Sequence, residues 1–126
     1  MNKIVFDSSA LLALILHEPG GDLDGLLESA VISAVNLVEV RTKLIDLEKL
    51  DADALEDDLR GLILVEPFTE EQAVIAARLR VRTKRLGLSL GDRACLALAI
   101  AENAEVYTAE KKWAEVDLGC TVRLIR

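Results

Sequence analysis

The 126-residue chain contains one histidine, two cysteines, two prolines and only 3% aromatic residues. Each scarcity removes a class of function. The single histidine, His17, precedes Glu18-Pro19-Gly20-Gly21 and reads as the last residue of a helix, so no Ser-His-Asp or Cys-His nucleophilic centre can be assembled. Zinc takes about four ligands, usually Cys and His, and Cys95, Cys120 and His17 are too few and too scattered to supply them. The same two cysteines cannot form a disulfide framework and are expected to be reduced thiols. No apolar run approaches the roughly 18 residues of a membrane helix, so no membrane association is expected. The opening Met1-Asn2-Lys3-Ile4-Val5-Phe6-Asp7 has neither the long apolar stretch nor the cleavage site of a signal peptide, and a cytoplasmic protein is expected. There is no Walker-type phosphate loop, no internal repeat and no Gly/Ser linker.

Apolar residues, by contrast, make up 52% of the chain, enough for a sizeable core. The length fits a single domain over residues 1–126, given roughly 100–200 residues per domain. The net charge is −7, which speaks against a protein that coats nucleic acid. The charge is unevenly spread. Residues 1–77 hold 5 basic and 16 acidic side chains, whereas residues 78–126 hold 10 and 6. The basic excess is densest from Arg78 to Arg85, where Arg78, Arg82 and Arg85 share one helix face. That strip reads either as a solvated surface or as a contact for RNA backbone.

Short apolar runs alternate with helical patterns. Strands are expected at residues 3–6, 31–33, 62–65, 105–107 and 121–125. Helices are expected over 10–16 with Ser8 or Ser9 as cap, 22–29, from a Ser33 cap to about residue 50, and over 51–60. Thr69-Glu70-Glu71-Gln72 has capping-box spacing and opens a long helix to about Leu86, closed by Gly87. Ser89-Leu90-Gly91-Asp92 opens another through Glu102, and residues 109–113 form a helical turn. This order implies an α/β fold: three layers, α/β/α, around a central, mostly parallel sheet of four to five short strands. Ligands in such sheets collect beyond the carboxyl ends of the strands.

Four acids stand at or near such positions. Asp7 directly follows the first strand, Glu39 lies on the helix after the second, Asp92 opens an almost wholly apolar helix, and Glu110 follows the fourth strand. Each has an ordinary alternative. Asp7 can cap the next helix, Glu39 can pair with Lys43, Asp92 can form a capping box with Ser89, and Glu110 can sit in a turn capped by Thr108. Carboxylates that converge repel one another unless a cation neutralises them. All-oxygen donors favour Mg²⁺ or Mn²⁺, and the chemistry such ions serve is hydrolysis of a phosphodiester.

Four stretches together resemble the PIN-domain family. They are Ile4-Val5-Phe6-Asp7-Ser8-Ser9-Ala10-Leu11, Asn36-Leu37-Val38-Glu39-Val40, Leu88-Ser89-Leu90-Gly91-Asp92-Arg93-Ala94-Cys95 and Thr108-Ala109-Glu110-Lys111-Lys112-Trp113. The ending, from Asp117-Leu118-Gly119 to Arg126, is similar to the VapC branch. The resemblance runs in the right order along the whole chain. It implies a PIN-like fold and a Mg²⁺- or Mn²⁺-dependent endoribonuclease. It further implies the toxin of a type II toxin–antitoxin pair, cutting tRNA or rRNA and inhibiting translation. Such a protein is a homodimer held inactive by a VapB-like antitoxin. Carried over, Asp7 and Asp92 are the metal ligands, and Glu39 and Glu110 complete the catalytic set. Ser9 and Asp117 are secondary members. The family most often has Asp where Glu110 stands, so a second reading is a non-catalytic PIN-like interaction module with a decayed metal site. A receiver-type phosphoacceptor domain is disfavoured, because Ser8-Ser9 rather than a further acid follow Asp7.

Overall fold

In the computed structural model, residues 3–48 and 61–126 are described. The helix expected over 51–60 lies outside them. Five strands form one sheet in the order β3-β2-β1-β4-β5, and every pairing is parallel. They are β1 (Ile4–Phe6), β2 (Ala30–Ser33), β3 (Leu64–Glu66), β4 (Glu105–Thr108) and β5 (Val122–Leu124). The helices are α1 (Ser8–Leu16), α2 (Ala34–Asp46), α3 (Glu70–Thr83) and α4 (Leu90–Ala101). Short 3-10 helices cover Asp24–Ser29, Lys84–Leu86 and Lys111–Glu115.

The two-residue period of the strands divides the core. Val5, Val31 and Val106 point to one face, where they meet Leu79, Leu88, Leu96, Leu98 and Trp113. Phe6 and Ile32 point to the other, against Ala10, Leu11, Val40 and Leu44. Helices therefore cover both faces, which is why the central strands are apolar at successive residues and not at alternate ones. Helix α4 shows the same logic. From Ala94 to Ala99 it is buried all round, wedged between the sheet and α3.

Chain chemistry sets the helix ends. Ser33, Thr69 and Ser89 each accept a backbone N–H at the start of α2, α3 and α4. His17 takes a left-handed conformation (φ 56°) as the last cap of α1. Gly87, at φ 65°, closes the turn after α3 at the position where a side chain would be strained. Several boundaries differ from the sequence expectation. Of the three caps the sequence offers for α1, it is Asp7 and neither serine that takes the place, so the helix starts at Ser8 and not at residue 10. The segment 22–29 yields only a 3-10 turn, and the third strand begins at Leu64 because Ile63 is taken into the core beneath it.

Truncating a side chain buried in α4 leaves a cavity that close-packed neighbours fill only in part. Leu98→Ala is expected to lower the unfolding free energy by about 2–5 kcal/mol, read as a lower urea midpoint at unchanged m-value.

Candidate active site

The strand order places a switch point at β1. From there the chain runs outward through β2 and β3, then returns to the other side as β4 and β5. The carboxyl ends of β1 and β4 therefore diverge into helices on opposite sides and leave a crevice between them. Asp7 and Thr108 stand at its two walls. The Asp7 N–H is tied to the Tyr107 carbonyl at 3.1 Å, continuing the ladder one step past the strands.

Asp7 is 4% exposed, far more buried than a carboxylate ordinarily is. Three donors hold it. Its Oδ1 accepts from the Ser9 hydroxyl at 2.7 Å and from the Ala10 N–H at 2.9 Å. Its Oδ2 accepts from the Thr108 hydroxyl at 2.6 Å. Each hydroxyl spends its hydrogen on Asp7 and uses its oxygen to receive a backbone N–H from the β4 exit. Ser9 accepts from Ala109 at 2.9 Å and Thr108 from Glu110 at 2.9 Å. Burial nonetheless dominates. It raises the Asp7 pKa to about 6 against the lowering effect of Ser9, Thr108 and Ala10, and the charge of Asp92 adds to the rise. Among the described residues, no cation is one of the groups acting on it.

Asp92 reaches the crevice from the N-terminus of α4. The capping box is formed: Ser89 Oγ accepts from the Asp92 N–H at 3.1 Å, and Asp92 Oδ2 accepts from the Ser89 N–H at 2.9 Å. The cap and the functional readings are compatible, since Oδ1 stays outside the cap. Glu39 comes from α2. Its Oε1 accepts from Asn36 Nδ2 at 2.9 Å, and its carboxylate lies against the backbone of Gly91. One further group locates all three acids. The buried Cys95 thiol is pushed well above its usual pKa by burial first, then by the charges of Asp7, Cys120, Asp92 and Glu39.

The remaining expected residues lie apart from this trio. Glu110 is exposed, and only its N–H is anchored, on Thr108. Asp117 lines a different cavity of about 500 Å³ with Asn103, Glu105 and Thr121, at the amino end of the sheet, and its Oδ1 accepts from Gly119. Arg78, Arg82 and Arg85 are exposed on α3 and the turn after it, with Arg82 donating to the Asp117 carbonyl at 3.3 Å. Thr108 and Asn36 are the contacts that sequence reasoning left out. The signal for Thr108 was its place one residue past the expected fourth strand, level with Asp7 in a parallel register.

Among the described residues, no three His, Cys, Asp or Glu side chains form a group able to hold a metal by themselves. The donors still fit Mg²⁺ or Mn²⁺. Mg²⁺ characteristically binds through one or two carboxylates and keeps several waters. Asp7, dehydrated and beside Asp92 without a counter-charge, is the kind of anion such an ion would neutralise.

A parallel doubly wound domain with an acidic crevice at its switch point is the class that fold and site define. The chain belongs to the PIN domain family, whose model matches residues 4–118. None of the curated proteins matches it. Solved structures share its fold. DNA-bound VapBC from Salmonella typhimurium aligns with a TM-score of 0.75 at 16% identity over 100% of both chains. A toxin–antitoxin complex from Klebsiella pneumoniae gives 0.76 at 20% over 98% of both. FitAcB from Neisseria gonorrhoeae gives 0.72 at 23% over 97% of both.

The Asp7 environment has a measurable consequence in metal-free protein. Its folded pKa, about 6, lies above the value near 3.9 expected unfolded. The folded state thus favours protonated Asp7, and stability falls as pH rises from about 4 through 6. Asp7→Asn cannot titrate. In EDTA it is expected to exceed the wild type by about 2–3 kcal/mol at pH 7.5, with the advantage vanishing below about pH 4. Denaturant midpoints across that range measure it. Thr108→Val removes a donor to the charged form and is expected to move the Asp7 titration higher still, followed by carboxyl NMR.

Proposed function

We propose that this PIN domain is a Mg²⁺- or Mn²⁺-dependent endoribonuclease, the toxin of a VapBC-type pair, acting on tRNA or rRNA and thereby inhibiting translation. The observation that carries the reading is Asp7: a carboxylate buried at the switch point, with the charge of Asp92 raising its pKa further and no cation among the described residues acting on it. Structural likeness to toxin–antitoxin complexes supports the toxin assignment. A bound divalent ion supplies Lewis acidity, acidifying water and offsetting charge on the phosphate.

The chain's own residues do the rest. Asp7 and Asp92 hold the ion, and Ser9 and Thr108 keep Asp7 ionised and fixed in direction by donating to both of its oxygens. Glu39 would orient water in the crevice, while Glu110, exposed and apart from the other acids, and Asp117, a secondary member, would have to reach it from their own loops. Arg78, Arg82 and Arg85 offer a backbone contact for RNA, which makes binding fall with salt.

The partner is a VapB-like antitoxin. Exposed apolar side chains beside the acids, Val38 (64% exposed) and Leu90 (60%), and the half-buried Leu12 and Leu14 of α1, give it a surface to cover. The working form is a cytoplasmic homodimer. No described helix is long and apolar enough to cross a membrane.

The purified chain, freed of antitoxin, is incubated with total tRNA and rRNA in Mg²⁺, Mn²⁺ or EDTA, with Asp92→Asn alongside. Discrete cuts are expected with either metal. They should be absent in EDTA and reduced at least about 100-fold in the variant, the scale on which loss of a positioned charge acts. Folded protein that cuts neither RNA in any arm overturns the reading and leaves the non-catalytic module.

A further inference from the structure

Asn36 is 1% exposed, and both hydrogens of its side-chain amide are engaged. Nδ2 donates to Glu39 Oε1 at 2.9 Å, one helical turn on, and to the Gly91 carbonyl at 2.9 Å across the gap to α4. The orientation of the amide is fixed by chemistry, because a flip would set its oxygen against two acceptors. The carbonyl Oδ1 is buried with no hydrogen-bond partner among the described residues. An apolar side chain there would avoid that desolvation cost, so fold stability alone does not explain an asparagine at this position.

Gly91 completes the arrangement. A Cβ on it would lie 2.7 Å from both Cδ and Oε1 of Glu39, well inside van der Waals contact. Glycine is also a poor choice on propensity within a helix, costing roughly 1 kcal/mol against alanine. Two residues that are individually unfavourable thus meet on one carboxylate. Asn36 holds it from α2, and Gly91 opens the space for it on α4, one residue before Asp92.

We infer that Asn36 and Gly91 are positioning residues. The Asn36 amide staples Glu39 to the backbone of α4, so that its carboxylate, though solvent-accessible, is held over Gly91 on the side of Asp92. This rests on the metal-site reading above and adds to it the device that sets the third acid. The staple also couples α2 to α4, so the relative placement of Glu39 and Asp92 is fixed by one side chain.

The test uses Mn²⁺ alone and needs no RNA. Affinity is measured by EPR titration for wild type, Asn36→Leu, Gly91→Ala, Glu39→Gln and the Asn36→Leu/Glu39→Gln double variant, with Tm recorded for each. Asn36→Leu and Gly91→Ala are expected to bind Mn²⁺ about tenfold more weakly, the range typical of residues that orient a ligand, at wild-type or higher Tm. In the Glu39→Gln background, Asn36→Leu should add nothing, because its route of action is gone. Unchanged affinity in both single variants, or full additivity in the double, overturns the inference while leaving the metal site standing. Gly91→Ala serves if Asn36→Leu does not fold.

Wild type that binds no Mn²⁺ overturns the metal reading itself. The geometry is then decided by side-chain amide exchange in EDTA. Slow exchange of the Asn36 amide, accelerated in Glu39→Ala, supports the staple, and fast exchange in wild type overturns it.

Discussion

Everything at the functional end of this molecule follows from the burial of one carboxylate. Asp7 is carried into the crevice because β1 is the central strand, flanked on both sides by parallel neighbours, and Asp7 is the next residue along. A charge so placed loses its water and needs replacements. The fold supplies a helix-start N–H and two hydroxyls. These reduce the cost without removing it, which is why the pKa remains raised, to about 6. A domain selected for stability alone would put a neutral cap at this position. An acid so buried, with a second acid near enough to disfavour its charge further, sets Asp7 apart from an ordinary helix cap and makes it a candidate functional group.

The same hydroxyls connect the acid to the architecture. Ser9 and Thr108 belong to elements on opposite sides of the switch point, and both return a bond to the backbone leaving β4. The crevice is thus closed at its base by a ring of hydrogen bonds running from Asp7 through Thr108 and Ser9 to the Ala109 and Glu110 amides. Directional bonds of this kind fix the carboxylate more tightly than packing would. They also set where Glu110 leaves the sheet, while leaving its side chain in solvent.

What could be read in the sequence was whatever local chemistry decides. The central strands, the Ser33, Thr69 and Ser89 caps, the Ser89–Asp92 box and the Gly87 stop all depend on neighbours within a few residues, and all appear close to where the pattern put them. Asp7 was legible for a related reason: a residue just beyond a parallel strand stands at the carboxyl end of the sheet. The donors were not legible. Thr108 meets Asp7 across 101 positions and Asn36 meets Gly91 across 55. Neither pairing leaves a mark in periodicity. Asp117 shows the opposite error, because nearness to Glu110 in sequence does not bring it to the same end of the sheet.

Counting lone pairs narrows what the acids can offer. A carboxylate has about four acceptor positions, two on each oxygen. At Asp7, Oδ1 is filled by Ser9 and Ala10, and Oδ2 has given one position to Thr108, so one remains. At Asp92, the cap takes one position on Oδ2 and leaves Oδ1 whole. In the proposed metal site, Asp7 would therefore offer a cation only Oδ2, and the capping roles of both residues would restrict that site without competing for it. Mg²⁺ characteristically takes one or two carboxylates and keeps several waters, which two such donors would suit. In that reading Glu39, held over Gly91 with only Oε1 taken by Asn36, would keep acceptor capacity on its other oxygen to orient water.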